Sequence, residues 1–102
     1  MLNTKKTLTK LLQWVAGLTI ETTQLSSVTI AASGSGNSSG DIAKSGKTPL
    51  GIVAITKDGA GNGDVTFTAY YLNGTNAVIS LRNMATSSRT ITCNATVLYK
   101  KS

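Results

Sequence analysis

From Val65 to Tyr99 the apolar residues alternate. Val65, Phe67, Ala69 and Tyr71 are separated by Thr66, Thr68 and Tyr70, then Ala77, Ile79 and Leu81 keep the period, and Ile91, Cys93, Ala95, Val97 and Tyr99 carry it on. A two-residue period puts successive side chains on opposite faces of an extended chain, so this stretch predicts β-strands with one buried face each. Asn73-Gly74 between the first two runs is a hairpin signal, and Asn83 to Ser88 reads as a second turn. Upstream, Val28, Ile30 and Ala32 alternate in the same way, while the β-branched run Leu50 to Ile55 reads as a buried strand. With 102 residues there is room for one core, and the pattern predicts an antiparallel all-β domain, a sandwich or jelly roll.

Two segments break that rhythm. Over residues 4–16, Leu8, Leu11, Leu12 and Val15 recur at steps of three and four, with Leu18 extending the stripe, which predicts one short α-helix. Asn3 or Thr4 caps its start and Gly17 suits its end. A helix of that length is marginal alone and has to dock on something. Ser33 to Gly40 is a run of small polar residues without an apolar anchor, and reads as a flexible loop. The organisation expected is therefore an N-terminal helical anchor over 1–19 and a β-sandwich head over 20–102, with the flexible loop at 33–40.

The inventory of reactive groups is short. The chain has no His, one Cys and four acids, Glu21, Asp41, Asp58 and Asp64, so acid–base, thiol and zinc chemistry lack their usual residues. No catalytic set, cofactor site or metal site is expected. Gly40 to Thr48 has the composition of a phosphate-binding loop, but five residues instead of four separate Gly40 from Gly46, and Pro49 follows where a helix should open. Asp58, Asn62 and Asp64 are spaced like calcium ligands, yet the twelfth position of such a loop is Ala69 and not Glu. Cys93 falls in the alternating pattern and reads as core.

Ten Lys and Arg against four acids give +6. Lys5, Lys6 and Lys10 cluster at the start, Lys100 and Lys101 at the end, and the others are scattered without interleaved aromatics, which argues against nucleic acid as a partner. Lys residues ahead of a short apolar stretch mimic a signal peptide, but Gln13 and Trp14 interrupt it and no clean cleavage site follows. Tyr70 stands opposite the predicted core face, fit either to stack on a sugar or to lie in a subunit interface.

Lys44 to Val53 contains Gly46-Lys47-Thr48-Pro49-Leu50-Gly51-Ile52-Val53. Ala69 to Asn83 contains Tyr70-Tyr71-Leu72-Asn73-Gly74 and the return strand Val78 to Asn83, and Ile91 to Tyr99 ends in Thr96-Val97-Leu98-Tyr99. Across roughly residues 20–100 these motifs resemble the small β-rich tip or head domains of tailed-phage fibre and minor structural proteins found in prophages. The resemblance implies a virion protein, a homotrimeric β-sandwich head that attaches to a host surface and joins the particle through its N-terminal part. Without shaft, collagen-like repeat or sustained heptads, the chain fits a short fibre, a tip subunit or a decoration protein.

On that reading Leu8, Leu11, Leu12, Val15 and Leu18 are the assembly or anchor residues, bundling with their copies or docking on a capsid or tail/baseplate protein. Host cell-surface polysaccharide is expected to meet exposed loops, with Asp58, Asn62, Asp64, Tyr70, Asn73, Asn76 and Arg89 as contacts. The alternative from another class is a membrane-surface protein held by residues 4–18 as a basic amphipathic helix.

Overall fold

The computed structural model describes residues 17–102, so the helix expected over 4–16, with Leu8, Leu11, Leu12 and Val15, lies outside the described residues. Leu18, the end of the expected stripe, is half-buried and not helical, and Thr19, expected in the anchor, opens the first strand. The described residues fold as seven antiparallel strands: β1 (Thr19–Gln24), β2 (Val28–Ile30), β3 (Ser35–Asp41), β4 (Lys47–Asp58), β5 (Val65–Asn73), β6 (Asn76–Asn83) and β7 (Arg89–Lys101). One sheet has β7 at its centre, with β1 and β2 along one side and β4 along the other. The second has β6 between β3 and β5. The all-β antiparallel expectation is met.

Topology follows from the pairing. The arm β6–β7 is flanked on one side by β2–β3 and on the other by β4–β5, and each arm passes from one sheet to the other. Only β5 and β6 form a hairpin within one sheet. Its two-residue turn is Gly74-Thr75, closed by the Asn73–Asn76 pair, with Gly74 at φ 61° in the first central position, where a type II′ turn needs glycine.

The core lies between the sheets. Ala77, Ile79 and Leu81 of β6 face Ile91, Cys93, Ala95, Val97 and Tyr99 of β7, and Leu25, Ile30, Ile42 and Val65 complete the cluster. This is the period-two set of the two central strands, and Cys93 is buried in it.

Residues 33–40, expected as a flexible loop, correct that expectation, because Ser35 to Asp41 pair in register with β6 as β3. The register puts Gly36, Ser38 and Gly40 on the core face, opposite Leu81, Ile79 and Ala77. They are small because the preceding chain packs over them: a Cβ on Gly36 would sit 3.0 Å from Val28 Cγ2, and one on Gly40 3.3 Å from Leu25 Cδ2. Ser38 is fully buried, donating to the Ser26 carbonyl (2.7 Å) and accepting from the Cys93 amide (3.3 Å), so its hydroxyl joins the two sheets.

The run Leu50 to Ile55 is not a buried strand, since it belongs to β4, the edge of its sheet, and Leu50 and Val53 are 48% and 53% exposed. Two register shifts, between Pro49 and Gly51 and between Ile52 and Ala54, leave Leu50 and Val53 as the extra residues of β-bulges. A third, between Phe67 and Ala69, reverses the alternation of β5 midway. The row on the core side there is Val65, Phe67, Tyr70 and Leu72, so Tyr71 leaves the core face to which simple alternation assigns it and is 49% exposed. Tyr70, expected on the opposite face, lies on the core side at the open flank of the edge strand and is 55% exposed.

Burial pushes the Cys93 thiol above its ordinary value of 9.0 and the Tyr99 hydroxyl above 10.0. At Cys93 the Ser38 hydroxyl and Lys57 partly offset that, whereas Glu21 and Asp41 push Tyr99 further up. Acidic groups with raised folded-state pKa values contribute stability that is complete below the unfolded-state pKa and is lost as pH rises through the folded one. The urea midpoint should therefore hold to about pH 9 and fall above it, and Cys93→Ala should flatten the first part of that fall. An identical slope in the variant would remove Cys93 from the account.

Candidate functional site

Apart from the connection 25–27 between β1 and β2, which runs beside Thr92 and Cys93 of β7, the loops fall at one of two poles. At the first lie the turns 31–34, 59–64 and 84–88. At the second lie the connection 42–46, the hairpin turn Gly74-Thr75, the start of β1 at Thr19 beside Tyr99, and Ser102, whose amide donates to the Gly46 carbonyl (3.0 Å).

The expected contact residues divide between these poles. Asp58, Asn62, Asp64 and Arg89 come together at the first. Asn73 and Asn76 lie at the second, flanking the hairpin turn, and Tyr70 lies on the flank between β4 and β5.

At the first pole, β4 ends at Asp58 and a one-turn 3-10 helix, Asn62–Asp64, leads into β5. Lys57 Nζ donates to the Asn62 carbonyl (2.9 Å) and Oδ1 (3.3 Å) and stands 5.7 Å from the Phe67 ring centre. Asn62 Nδ2 donates to the Gly59 carbonyl (2.9 Å). Arg89, at the start of β7, reaches Asp64 Oδ2 (3.1 Å) through Nη2 and Ser87 Oγ (2.7 Å) through Nη1. Gly61, at φ 73°, lets the guanidinium approach, since a Cβ there would fall 2.2 Å from Arg89 Nε. Asn94 Nδ2 holds Asp58 Oδ2 at 3.3 Å.

The result is a fixed polar rim in which Asp64 remains 52% exposed next to Arg89. Such a surface presents carboxylate and guanidinium groups in set positions, suited to hydrogen-bonding a polar ligand. Among the described residues no three His, Cys, Asp or Glu side chains converge as a metal site would require.

The second pole is basic. Lys44, Lys100 and Lys101 lie there, together with the ion pair of Lys47 Nζ with Glu21 Oε2 at 3.2 Å.

The flank between β4 and β5 carries a groove of about 220 Å³ lined by Ile52, Val53, Ala54, Ile55 and Tyr70. Sequence reasoning placed Tyr70 among the contacts but missed its four neighbours. Pro49 was the available signal, because proline within an apolar run belongs to edge strands.

The chain matches no family model, no curated protein and no solved structure.

Proposed function

We propose that this chain is a non-enzymatic virion structural protein of a tailed phage: a homotrimeric head of jelly-roll connectivity, used as a short fibre or fibre tip, or as decoration of the particle. The observation that carries the reading is the opposition of the two poles. The chain enters β1 at the basic pole, and the polar rim of Asp58, Asn62, Asp64 and Arg89 lies at the far one. Residues 1–16 then serve as anchor on a capsid or tail/baseplate protein, and the rim faces the host. The nested arms around β6–β7 support the jelly-roll assignment, with β5 and β6 joined directly where a full eight-stranded roll has two more strands. The scarcity of acid–base and thiol groups supports a binding role over a catalytic one.

Three weak sugar contacts on one trimer bind by avidity, so loss of a single rim group is amplified. The full chain, passed over immobilised bacterial cell-wall polysaccharides, is expected to bind at least one, with retention reduced more than roughly tenfold by Arg89→Ala and unchanged by Asn73→Ala with Asn76→Ala. Binding that ignores Arg89 and Asp64 but follows Asn73 and Asn76 would reverse the orientation, and no binding to any host polysaccharide would leave only the decoration role.

A further inference from the structure

Of the five exposed large hydrophobic side chains among the described residues, four, Leu50, Val53, Tyr70 and Tyr71, lie on β4 and β5, the free edges of the two sheets on one flank. Between them runs the groove of Ile52, Val53, Ala54, Ile55 and Tyr70. We infer that this flank is where copies of this chain meet, three flanks converging along the axis of an assembly with the strands running parallel to it. The inference rests on the trimer reading above and adds the surface that makes the trimer.

Three observations select a copy of the chain as the occupant. The first is charge. The two lysines of β4, which would otherwise set like charges against a copy, are held by their own chain: Lys47 is paired with Glu21, and Lys57 is turned inward onto Asn62 and the Phe67 ring. The second is area. The two half-exposed tyrosines leave roughly 150–250 Å² open, and Leu50 and Val53 bring the total to roughly 200–350 Å². A standard interface buries about 800 Å² per partner, a little over half of it apolar, so the four residues supply roughly half or more of the apolar part of one such contact.

The third is the edge itself. Pro49, the bulges at Leu50 and Val53 and the inward-pointing Lys57 are devices that prevent indefinite strand addition, while the bulges turn apolar side chains outward. Contact is thereby made by side chains in a closed set and not by an open ladder. A sugar is a poorer occupant, because among the five lining residues the Tyr70 hydroxyl is the one side-chain polar group.

Strands parallel to the axis put the three basic poles at one end and the three polar rims at the other, as an anchored head requires. Because Val53 and Tyr70 are half exposed, the double substitution Val53→Arg with Tyr70→Arg leaves the core intact. Light scattering on the full chain is expected to show a trimer, and on the double variant a monomer, with the dissociation constant raised at least roughly 30-fold. Hydrogen exchange on the unaltered chain gives an independent reading: amides of 50–55 and 68–71 should slow at least roughly tenfold on going from dilute to concentrated protein, since opening of the contact then limits exchange. A trimer that survives the double substitution, with flank amides indifferent to concentration, overturns this surface and leaves the trimer standing. A monomeric unaltered chain at every concentration overturns both.

Discussion

Tyr99→Ala should leave the domain largely unfolded near body temperature. Tyr99 is the largest fully buried side chain among the described residues, packed at the second pole between the sheets, and its hydroxyl donates to the Ile42 carbonyl. That bond fixes the connection from β3 into β4, where Ile42 is itself fully buried and its amide bonds the Thr75 carbonyl at 2.8 Å. Truncation removes an aromatic ring, leaves a cavity that paired strands cannot collapse, and orphans a carbonyl. The ring costs about 3–5 kcal/mol and the unmet carbonyl about 1 kcal/mol more. A domain of this size is stable by roughly 5–15 kcal/mol, so the sum consumes much or all of it, and the melting temperature should drop by more than about 20 °C. Tyr99→Phe isolates the hydroxyl and should cost about 1–2 kcal/mol. Thermal denaturation followed by far-UV circular dichroism measures both, and a Tyr99→Ala loss below about 1 kcal/mol would mean that the tyrosine is not the keystone of that pole.

What the sequence disclosed follows from which strands obey a plain period. β6 and β7 are central, and both of their edges are paired, so nothing interrupts alternation and the buried set from Ala77 to Tyr99 reads directly from the residues. The edge strands are different. β4 carries two bulges and β5 one, and each inserts a residue that reverses the pattern downstream, which is why Leu50, Val53 and Tyr71 look interior in a one-dimensional reading and are exposed in the fold. β3 was illegible for another reason. Its core-facing positions are Gly36, Ser38 and Gly40, and the apolar filling above them comes from Leu25, Val28 and Ile30 on a different segment. Intrinsic propensity makes such a run a loop, but pairing with β6 overrides it. At the polar rim, the residue types were legible in the sequence and their convergence was not, because Asp64 and Arg89 are 25 positions apart and meet through the fold.

Asn83 shows how the rim depends on the interior. It closes β6 at the first pole, fully buried, and its side-chain amide donates to the carbonyls of Ile30 (3.0 Å), Ala31 (3.3 Å) and Ser87 (2.9 Å) while its Oδ1 accepts from the Ala85 amide (2.9 Å). One side chain thus ties the β2–β3 turn to the β6–β7 turn, immediately before Arg89. Asn83→Ala strands several buried backbone groups at about 1–3 kcal/mol each, less than additively, for an expected loss of about 3–4 kcal/mol in urea denaturation. Asn83→Asp is the sharper test. It keeps the acceptor for Ala85 but aims a carboxylate at three carbonyl oxygens, so at neutral pH it should be at least as damaging as alanine. As pH falls, the carboxyl takes up a proton and regains one donor, and because burial raises its folded-state pKa the deficit should shrink on acidification. In both variants amides of 31–34 and 84–89 should exchange faster than those of 93–97, with Arg89 losing its fixed approach to Asp64. A uniform rise in exchange across β7 would instead make Asn83 a global core residue and break the link between this amide and the rim.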